Sequence, residues 1–487
     1  MMRVLFAAAE AYPLIKTGGL GDVAGALPLS LNRLGAEVRL LLPGYGEVMN
    51  AVERVETVRD LGPVLAGRHA RLLSAAMPHS GLPLLIVDCP ELYRRPGSAY
   101  QTEAGVDWPD NHLRFGLLAR AAALAAGEGV GGWRPDIVHA NDWHTGLLPY
   151  YLKRQAASGT TDSATMAATR TLFTIHNMAY QGVFGAGVMN DLALAAADLS
   201  PAGFEFWGNV SFLKAGLVFS DRISTVSPTY AQEIQHAPLG AGLEGVLAAR
   251  QGDLSGITNG VDDAVWNPER DAFIVHQYSA ATLDEKAKNR SALRQAMRLP
   301  EGETTLLAGV VSRLVEQKGI DLIVAALPQL AAAGVQLAVL GQGDAVLERA
   351  LIDAARAHPG ALAVRIGYDE ALAHRIIAGC DFLLMPSRFE PCGLAQLYAQ
   401  RYGTLPVVRR TGGLADTVHD GVDGFSFDEA TPQALTAAVQ HAAALFRRGA
   451  EWRALQQRAM ARDVTWDGCA RGYMDLYQDM LSAAHLP

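Results

Sequence analysis

At 487 residues the chain is too long for one ordinary hydrophobic core, so two large domains or three ordinary ones are expected. Half of the residues are hydrophobic and 19% are charged, a balance that excludes a disordered or coiled-coil chain. The net charge of -9 leaves no general basic surface to neutralise phosphates, which excludes a nucleic-acid partner.

The chain opens on Val4–Ala9, an apolar run ended by Glu10 that reads as a first buried strand rather than a signal peptide. Strands are then expected at Val38–Leu42, Leu84–Asp88, Ile137–Ala140, Leu172–Ile175 and Ile223–Val226. These are continuous apolar runs without period-two alternation, the mark of a parallel sheet covered on both faces. Helix-like stretches such as Arg114–Ala126 lie between them, and Gln155–Arg170, rich in Ala, Ser and Thr, reads as a surface loop. Gly256, Asn259, Gly260 and Pro268 then interrupt the pattern. The rhythm restarts at Leu306–Val311, Val335–Leu340, Ala363–Ile366, Phe382–Met385 and Pro406–Val408. A last helix, Cys469–Ala484, carries Tyr473, Leu476, Tyr477 and Met480 on one packing face. Two strand–helix series predict an α/β chain of two doubly wound parallel-sheet domains. Their expected extents are 1–255, completed by the helix at 469–487, and 256–468. No apolar run is long enough to span a membrane. Cys89, Cys380, Cys392 and Cys469 are scattered without a close pair, so neither a disulfide framework nor a zinc site is expected, and the setting is read as cytoplasmic.

Chemistry concentrates where strands end. Lys16-Thr-Gly-Gly-Leu-Gly-Asp22 follows the first strand; Gly18 and Gly19 admit a ligand to their backbone amides, the next helix adds its positive dipole end, and Lys16 adds a full charge. The phrase recurs as Arg410-Thr-Gly-Gly-Leu-Ala-Asp416, either by coincidence or as a second solution to the same anion-binding problem. His139-Ala-Asn-Asp-Trp-His144 and His176 follow two further strands and suit a sugar. Arg313 and Lys318 lie in one strand-to-helix loop and together would neutralise a diphosphate. Tyr368 offers a ring for a nucleotide base. Glu390 precedes Pro391, Cys392 and Gly393 at an expected helix mouth, either as a dipole partner or as a carboxylate that binds sugar hydroxyls and stabilises positive charge at an anomeric carbon.

Together these segments, with Ala179-Tyr-Gln-Gly182, Thr258-Asn-Gly-Val-Asp262 and Trp266-Asn-Pro268, resemble the bacterial glycogen synthases and plant starch synthases. That is a retaining glycosyltransferase family (family 5) of the GT-B architecture, and the phrases stand in family order over nearly the whole chain. The resemblance implies two facing Rossmann-like domains with the active site in the cleft between them. It implies transfer of glucose from ADP-glucose to the non-reducing 4-hydroxyl of an α-1,4-glucan such as glycogen, with retention at the anomeric carbon. By the same resemblance, Lys16, Arg313 and Lys318 bind the diphosphate, while Gly18, Gly19, Cys392, Gly393 and Leu394 line the nucleotide sugar with their backbone. Tyr368 stacks near the adenine, His176 and Asn259 face the donor glucose, Glu390 holds its hydroxyls, and Tyr100 and Asp142 lie toward the acceptor.

Related retaining families often carry a second glutamate where this chain has Tyr398, which disfavours a mechanism needing two carboxylates. No Asp-x-Asp cluster stands beside a strand, so neither a metal nor another cofactor is expected. Because the donor groups fall on both halves, ligand is expected to draw the domains together. The alternatives are an α-glucan phosphorylase, expected to be much longer with a pyridoxal-phosphate lysine, and a catalytically inactive glucan-binding scaffold, which has no need of leaving-group cations.

Overall fold

The computed structural model describes residues 1–157, 169–302 and 305–482. The chain forms two compact units. Met1–Val226, Ala231–Ile257 and the segment from Trp466 onward make the first; Ser227–Tyr230 and Thr258–Thr465 make the second.

In the first unit the chain lays down β1 (Arg3–Ala7), β2 (Glu37–Pro43), β3 (Glu56–Pro63), β4 (His69–Ala76), β5 (Pro83–Asp88), β6 (Ile137–Asn141) and β7 (Arg170–Ile175). The short β8 (Val183–Gly185), β9 (Glu205–Phe206) and β10 (Asn209–Ser211) follow, then β11 (Arg222–Thr225) and β12 (Leu254–Gly256). The main sheet runs β12-β11-β7-β6-β1-β2-β5-β4-β3, and β8, β10 and β9 form a small antiparallel sheet of their own. Val4 to Ala7 of β1 are fully buried at the sheet centre, as an apolar strand covered on both faces must be. The expected all-parallel sheet needs amendment at one edge, where β4 pairs antiparallel with both β5 and β3. The sequence hides this hairpin because β3 is charged and largely exposed, and carries two register shifts. Charge and bulges of that kind keep an edge strand from pairing with another molecule.

The second unit holds β13 (Leu306–Val311), β14 (Val335–Gly341), β15 (Leu362–Ile366), β16 (Phe382–Met385), β17 (Leu405–Arg409) and β18 (Phe425–Phe427). Its sheet is parallel throughout, in the order β15-β14-β13-β16-β17-β18. That is the doubly wound 3-2-1-4-5-6 arrangement, with its switch point between β13 and β16. The first sheet has its own switch point between β1 and β6. At a switch point adjacent strands send their following helices to opposite faces, and the crevice left at their carboxyl ends takes ligands. All eleven expected strands are present, with ends shifted by at most two residues.

The expected loop Gln155–Arg170 falls mostly on residues 158–168, outside the described residues; its flanks belong to the helix Leu147–Ala157 and to β7. Among the described residues no helix is long and apolar enough to cross a membrane.

The last helix, Trp466–Ser482, starts three residues earlier than expected, and its expected end at Ala484 lies outside the described residues. Tyr473, Leu476, Tyr477 and Met480 are buried on its inner face. A line of hydrogen bonds ties it to the sheet: Tyr477 Oη to His139 Nδ1 (2.7 Å), His139 Nε2 to Thr174 Oγ1 (2.6 Å) and Thr174 Oγ1 to Ser224 Oγ (2.6 Å). Burial holds the His139 imidazole well below its usual range and hence neutral. Tyr477→Phe keeps the ring but strands one imidazole nitrogen in the core. The expected loss is about 1–3 kcal/mol, read as a lower unfolding midpoint in denaturant; an unchanged midpoint would show that the line carries no stability.

Candidate active site

In the second unit the loops leaving β13 and β16 meet at the switch point. The Arg388 amide donates to Gln317 O (2.8 Å) and Gln317 Nε2 to Phe389 O (3.1 Å), while the Arg388 guanidinium forks onto Asp321 (2.7 and 2.6 Å). Gly319, at φ 67°, allows this approach: a Cβ there would stand 2.2 Å from Pro386 O. The stitching brings Lys318 Nζ to 2.5 Å from Glu390 Oε2, which also accepts from Ser387 Oγ at 3.0 Å. Glu390 is buried, and the Lys318 side chain is 17% exposed.

The expected helix mouth at Glu390 needs correction. The helix begins at Ala395, with Leu394 at its cap, so Glu390 lies in the preceding loop, partnered by Lys318 and Ser387 rather than by helix amides. Residues 390–392 are held by the Thr-Gly-Gly phrase after β17. The Gly413 amide donates to Glu390 O (3.0 Å), and a Cβ on Gly412 would stand 2.0 Å from that same carbonyl. Asp416 accepts from the Thr229 amide and hydroxyl (2.9 and 2.6 Å), and Arg410 pairs outward with Asp428. This copy of the phrase therefore packs backbone against backbone, which sets it apart from the copy at Lys16–Asp22.

The other expected residues of this unit are spread around the pair. Cys392 is buried, and Gly393 (φ 74°) precedes the Leu394 cap. Arg313 is exposed just beyond β13. Tyr368 is 69% exposed past the end of β15, two strands from β13 and so roughly 10 Å to the side, where its hydroxyl donates to Glu370. Asn259 is buried with its Oδ1 lacking a hydrogen-bond partner, an acceptor in need of a donor. Tyr398 lies flat on Trp266 (3.9 Å between centroids, 4° between planes), and Trp266 lies in turn on His374 (3.7 Å, 8°).

In the first unit the loops after β1, β5 and β6 meet around another carboxylate, Glu10. Its Oε2 accepts from the Thr17 and Gly18 amides at the mouth of the helix Gly19–Arg33. Lys16 lies beside it, paired with Asp22 at 2.8 Å. Burial pushes the Glu10 carboxyl up to about 7, while the two amides and the Tyr100 hydroxyl pull the other way. Asp142 is also pushed up to about 7, by burial first and the nearby Glu10 last, and the Trp143 amide opposes the shift. Asp142 has φ 60° and ψ 175°, backbone space that is nearly glycine-only, so its placement is strained. Tyr100 stacks on His144 at 4.9 Å. His176, held neutral because burial lowers it to about 3, has its Nε2 3.1 Å from Asn141 Oδ1. Asn141 Nδ2 donates to Ala7 O and His139 O, which leaves Oδ1 to accept and assigns the His176 proton to Nε2.

Thus Gly18, Tyr100 and Asp142 converge on Glu10, with Lys16 and Gly19 alongside and His176 held by Asn141. Lys318 and Glu390 meet directly, whereas Tyr368 stands apart. Sequence reasoning missed Glu10, for which the available signal was a carboxylate directly after the first strand of a doubly wound sheet. Asn141 and Ser387 stand inside the motifs His139–His144 and Ser387–Tyr398 but were given no role there.

A family model of the starch synthase catalytic domain matches residues 3–249, and one of group 1 glycosyl transferases matches residues 305–444. The glycogen synthase of Rhodospirillum rubrum is 48% identical over all of both chains, and that of Aromatoleum aromaticum is 48% identical over 99% of this chain and 98% of its own. Among solved structures, the catalytic domain of starch synthase IV from Arabidopsis thaliana, bound to ADP and acarbose, superposes with a TM-score of 0.88 at 32% identity, covering 99% of each chain. A sucrose-phosphate synthase from Thermosynechococcus elongatus (TM-score 0.59, 16% identity, 99% of this chain and 100% of that one) shares the fold.

The raised Glu10 carboxyl has a measurable consequence. A carboxyl whose folded pKa lies above its unfolded one favours folding while protonated, so its stabilisation is full below about pH 4.5 and fades as pH rises through about 7. Glu10→Gln keeps an acceptor for both amides but removes the titration. Melting curves from pH 4 to 8 should show the variant gaining on the wild-type chain by about 2–3 kcal/mol across that window. A difference that stays constant with pH would refute the assignment.

Proposed function

The chain belongs to the glycogen and starch synthase family of glucosyltransferases, and from that premise we propose that it extends an α-1,4-glucan with glucose taken from ADP-glucose, retaining the anomeric configuration. The observation that carries this reading is the Lys318–Glu390 contact at the carboxyl ends of β13 and β16, where a doubly wound sheet takes its ligand. In this reading Arg313 and Lys318 neutralise the diphosphate, Tyr368 stacks beside the adenine, and Asn259 Oδ1 accepts from a hydroxyl of the donor glucose. The backbone of Cys392, Gly393 and Leu394 lines the same ligand, and Glu390 bonds the sugar hydroxyls more strongly as positive charge builds at the anomeric carbon. The first unit contributes Lys16 with the Gly18 and Gly19 amides as an anion site. It also contributes neutral His176, whose Nε2–H is held by Asn141 Oδ1 so that Nδ1 is left to accept from a sugar hydroxyl, and Tyr100 and Asp142 toward the acceptor.

The glycosidic bond from C1 to the phosphate oxygen breaks as the acceptor O4 attacks from the same face. The departing phosphate takes the O4 proton, so the products are a nucleoside diphosphate and a glucan longer by one unit. No carboxylate is used as a covalent nucleophile. Lys16, Arg313 and Lys318 supply the charge that a divalent ion would otherwise bring, so neither a metal nor another cofactor is part of the reading. A cytoplasmic setting is supported by the cysteines, none of which is joined in a disulfide among the described residues.

A donor panel with a glucan primer tests the assignment through release of nucleoside diphosphate. ADP-glucose should exceed UDP-glucose in kcat/KM by roughly tenfold or more, and activity should survive exhaustive EDTA. Equal use of both donors would overturn the donor assignment, and loss on chelation with rescue by magnesium would overturn the metal-free one.

Glu390→Gln separates chemistry from architecture. The amide still accepts from Ser387 and Lys318 but carries no charge, so kcat should fall by roughly 10²–10³ while the KM for ADP-glucose changes little. A folded variant with near-normal kcat would remove Glu390 from the reaction.

A further inference from the structure

The hairpin joining β9 to β10 is built around a residue that folding does not explain. Phe206 pairs with Asn209, so the connection is only Trp207-Gly208, with φ 51° and 78°. Two positive φ values in a two-residue loop define the turn that favours Asn-Gly, and a bulky aromatic in its first position is a steric outlier. The indole gains little burial in return, being 82% exposed. The turn is nonetheless firmly held. The Gly208 amide donates to Glu205 Oε1 (2.6 Å), Asn209 Nδ2 to Trp207 O (3.1 Å), and buried Lys214 Nζ to Glu205 O (2.6 Å) and Pro201 O (2.9 Å). The backbone at Gly242 lies against the Phe206 ring and the indole nitrogen edge. A strained, rigid support thus holds a large ring out in water.

This support grows out of the acceptor cluster. Val210 pairs with Phe184, and the Phe184 ring meets Trp143 at 6.1 Å. Trp143 stacks close to His144 (4.1 Å), and His144 stacks on Tyr100 (4.9 Å). Gly182, where the chain enters β8, lies so close on the Trp143 indole that a Cβ would stand 2.2 Å from the ring. Val210 is one residue from the Asn209 end of β10, and the turn Trp207-Gly208 adjoins that end directly. A run of rings therefore leads from the residues beside Asp142 to Phe184, and the pairing of β8 with β10 joins it to the hairpin that carries Trp207.

We propose that Trp207 is an outer binding platform for the acceptor, stacking on a glucose unit of the α-glucan several residues back from its reacting end. An α-glucan is the ligand this geometry fits, because the apolar C–H face of a pyranose packs on an open indole while its hydroxyls stay in water. The inference rests on the glucan-extending function proposed above, and its test separates the two. Wild type, Trp207→Asn and Trp207→Tyr are compared with maltotriose and with a long glucan as acceptors. Asn suits the turn better than Trp, so Trp207→Asn should melt at or above the wild-type temperature. It should nevertheless raise the KM for the long glucan roughly three- to tenfold, leaving kcat and the maltotriose and donor KM values unchanged. Trp207→Tyr should restore most of the long-glucan affinity. Equal KM changes for both acceptors, no change for either, or a change in oligomeric state on substitution would each overturn the platform. A wild-type chain that transfers to neither acceptor would overturn the function itself.

Discussion

The contact between Lys318 and Glu390 organises the second unit. A parallel sheet wrapped on both faces can keep charge only at the ends of its strands, and a cation and a carboxylate drawn out of water there must find each other. The Coulomb gain of such a pair roughly offsets its desolvation, so the pair does not hold the loops in place. The loops hold the pair. Gln317, Arg388 and Asp321 stitch the two loops together, Gly319 lets the backbones close, and Gly412 and Gly413 press the segment after Glu390 from the other side. Sequence phrases that look like separate motifs are thus parts of one clamp.

The first unit solves a similar problem with the opposite sign. Its fixed element is a set of positive groups, namely two amides at a helix start and Lys16, and the buried Glu10 and the nearby Asp22 lie against them. In both units a lysine proposed to receive a diphosphate is already paired with a carboxylate of the chain. Under the proposed function, donor binding is then an exchange of anions in which Lys16 and Lys318 change partner.

The parallel strands were legible because each is a continuous apolar run, and burial on both faces leaves that trace in composition. The β3–β4 hairpin and the small sheet were not, since edge strands that face water on one side look like loops. At the site, Lys318 and Glu390 were legible as residue types at strand ends, but their contact joins positions 72 apart and depends on how two loops are cut. The Thr-Gly-Gly phrase shows the limit most clearly. Both copies follow strands and open helices, yet Gly18 has open space beside it while Gly412 and Gly413 meet a neighbouring backbone. What a glycine is for is decided by the segment opposite, which lies far away in sequence. Glu10 was passed over because a charge ending an apolar run reads as a boundary; its role depends on amides seven and eight residues on.

Tyr398 bears on the mechanism in a way its position alone does not convey. It occupies the place where related retaining families often carry a second glutamate, and here it is buried in a ring stack with Trp266 and His374. A glutamate in that stack would be a desolvated charge against the Trp266 face, so the substitution is built into the packing of the helix Ala395–Arg401. His374 extends the stack to a fixed hydrogen bond, its Nδ1 2.7 Å from Asp271 Oδ2, and the same carboxylate oxygen accepts from Tyr402 Oη at 2.7 Å. The helix that follows Glu390 is therefore anchored by aromatic and imidazole contacts, and among the described residues Glu390 has a single ionic partner, Lys318. Under the proposed function, a lone carboxylate already paired with Lys318 is poorly placed to act as a free nucleophile, because attack would require breaking that pair as the diphosphate departs. Holding sugar hydroxyls while Lys318 turns to the phosphate asks only for a change of partner. Within the proposed function, the packing around Tyr398 is consistent with a reaction in which the departing phosphate, and no second carboxylate, receives the acceptor proton.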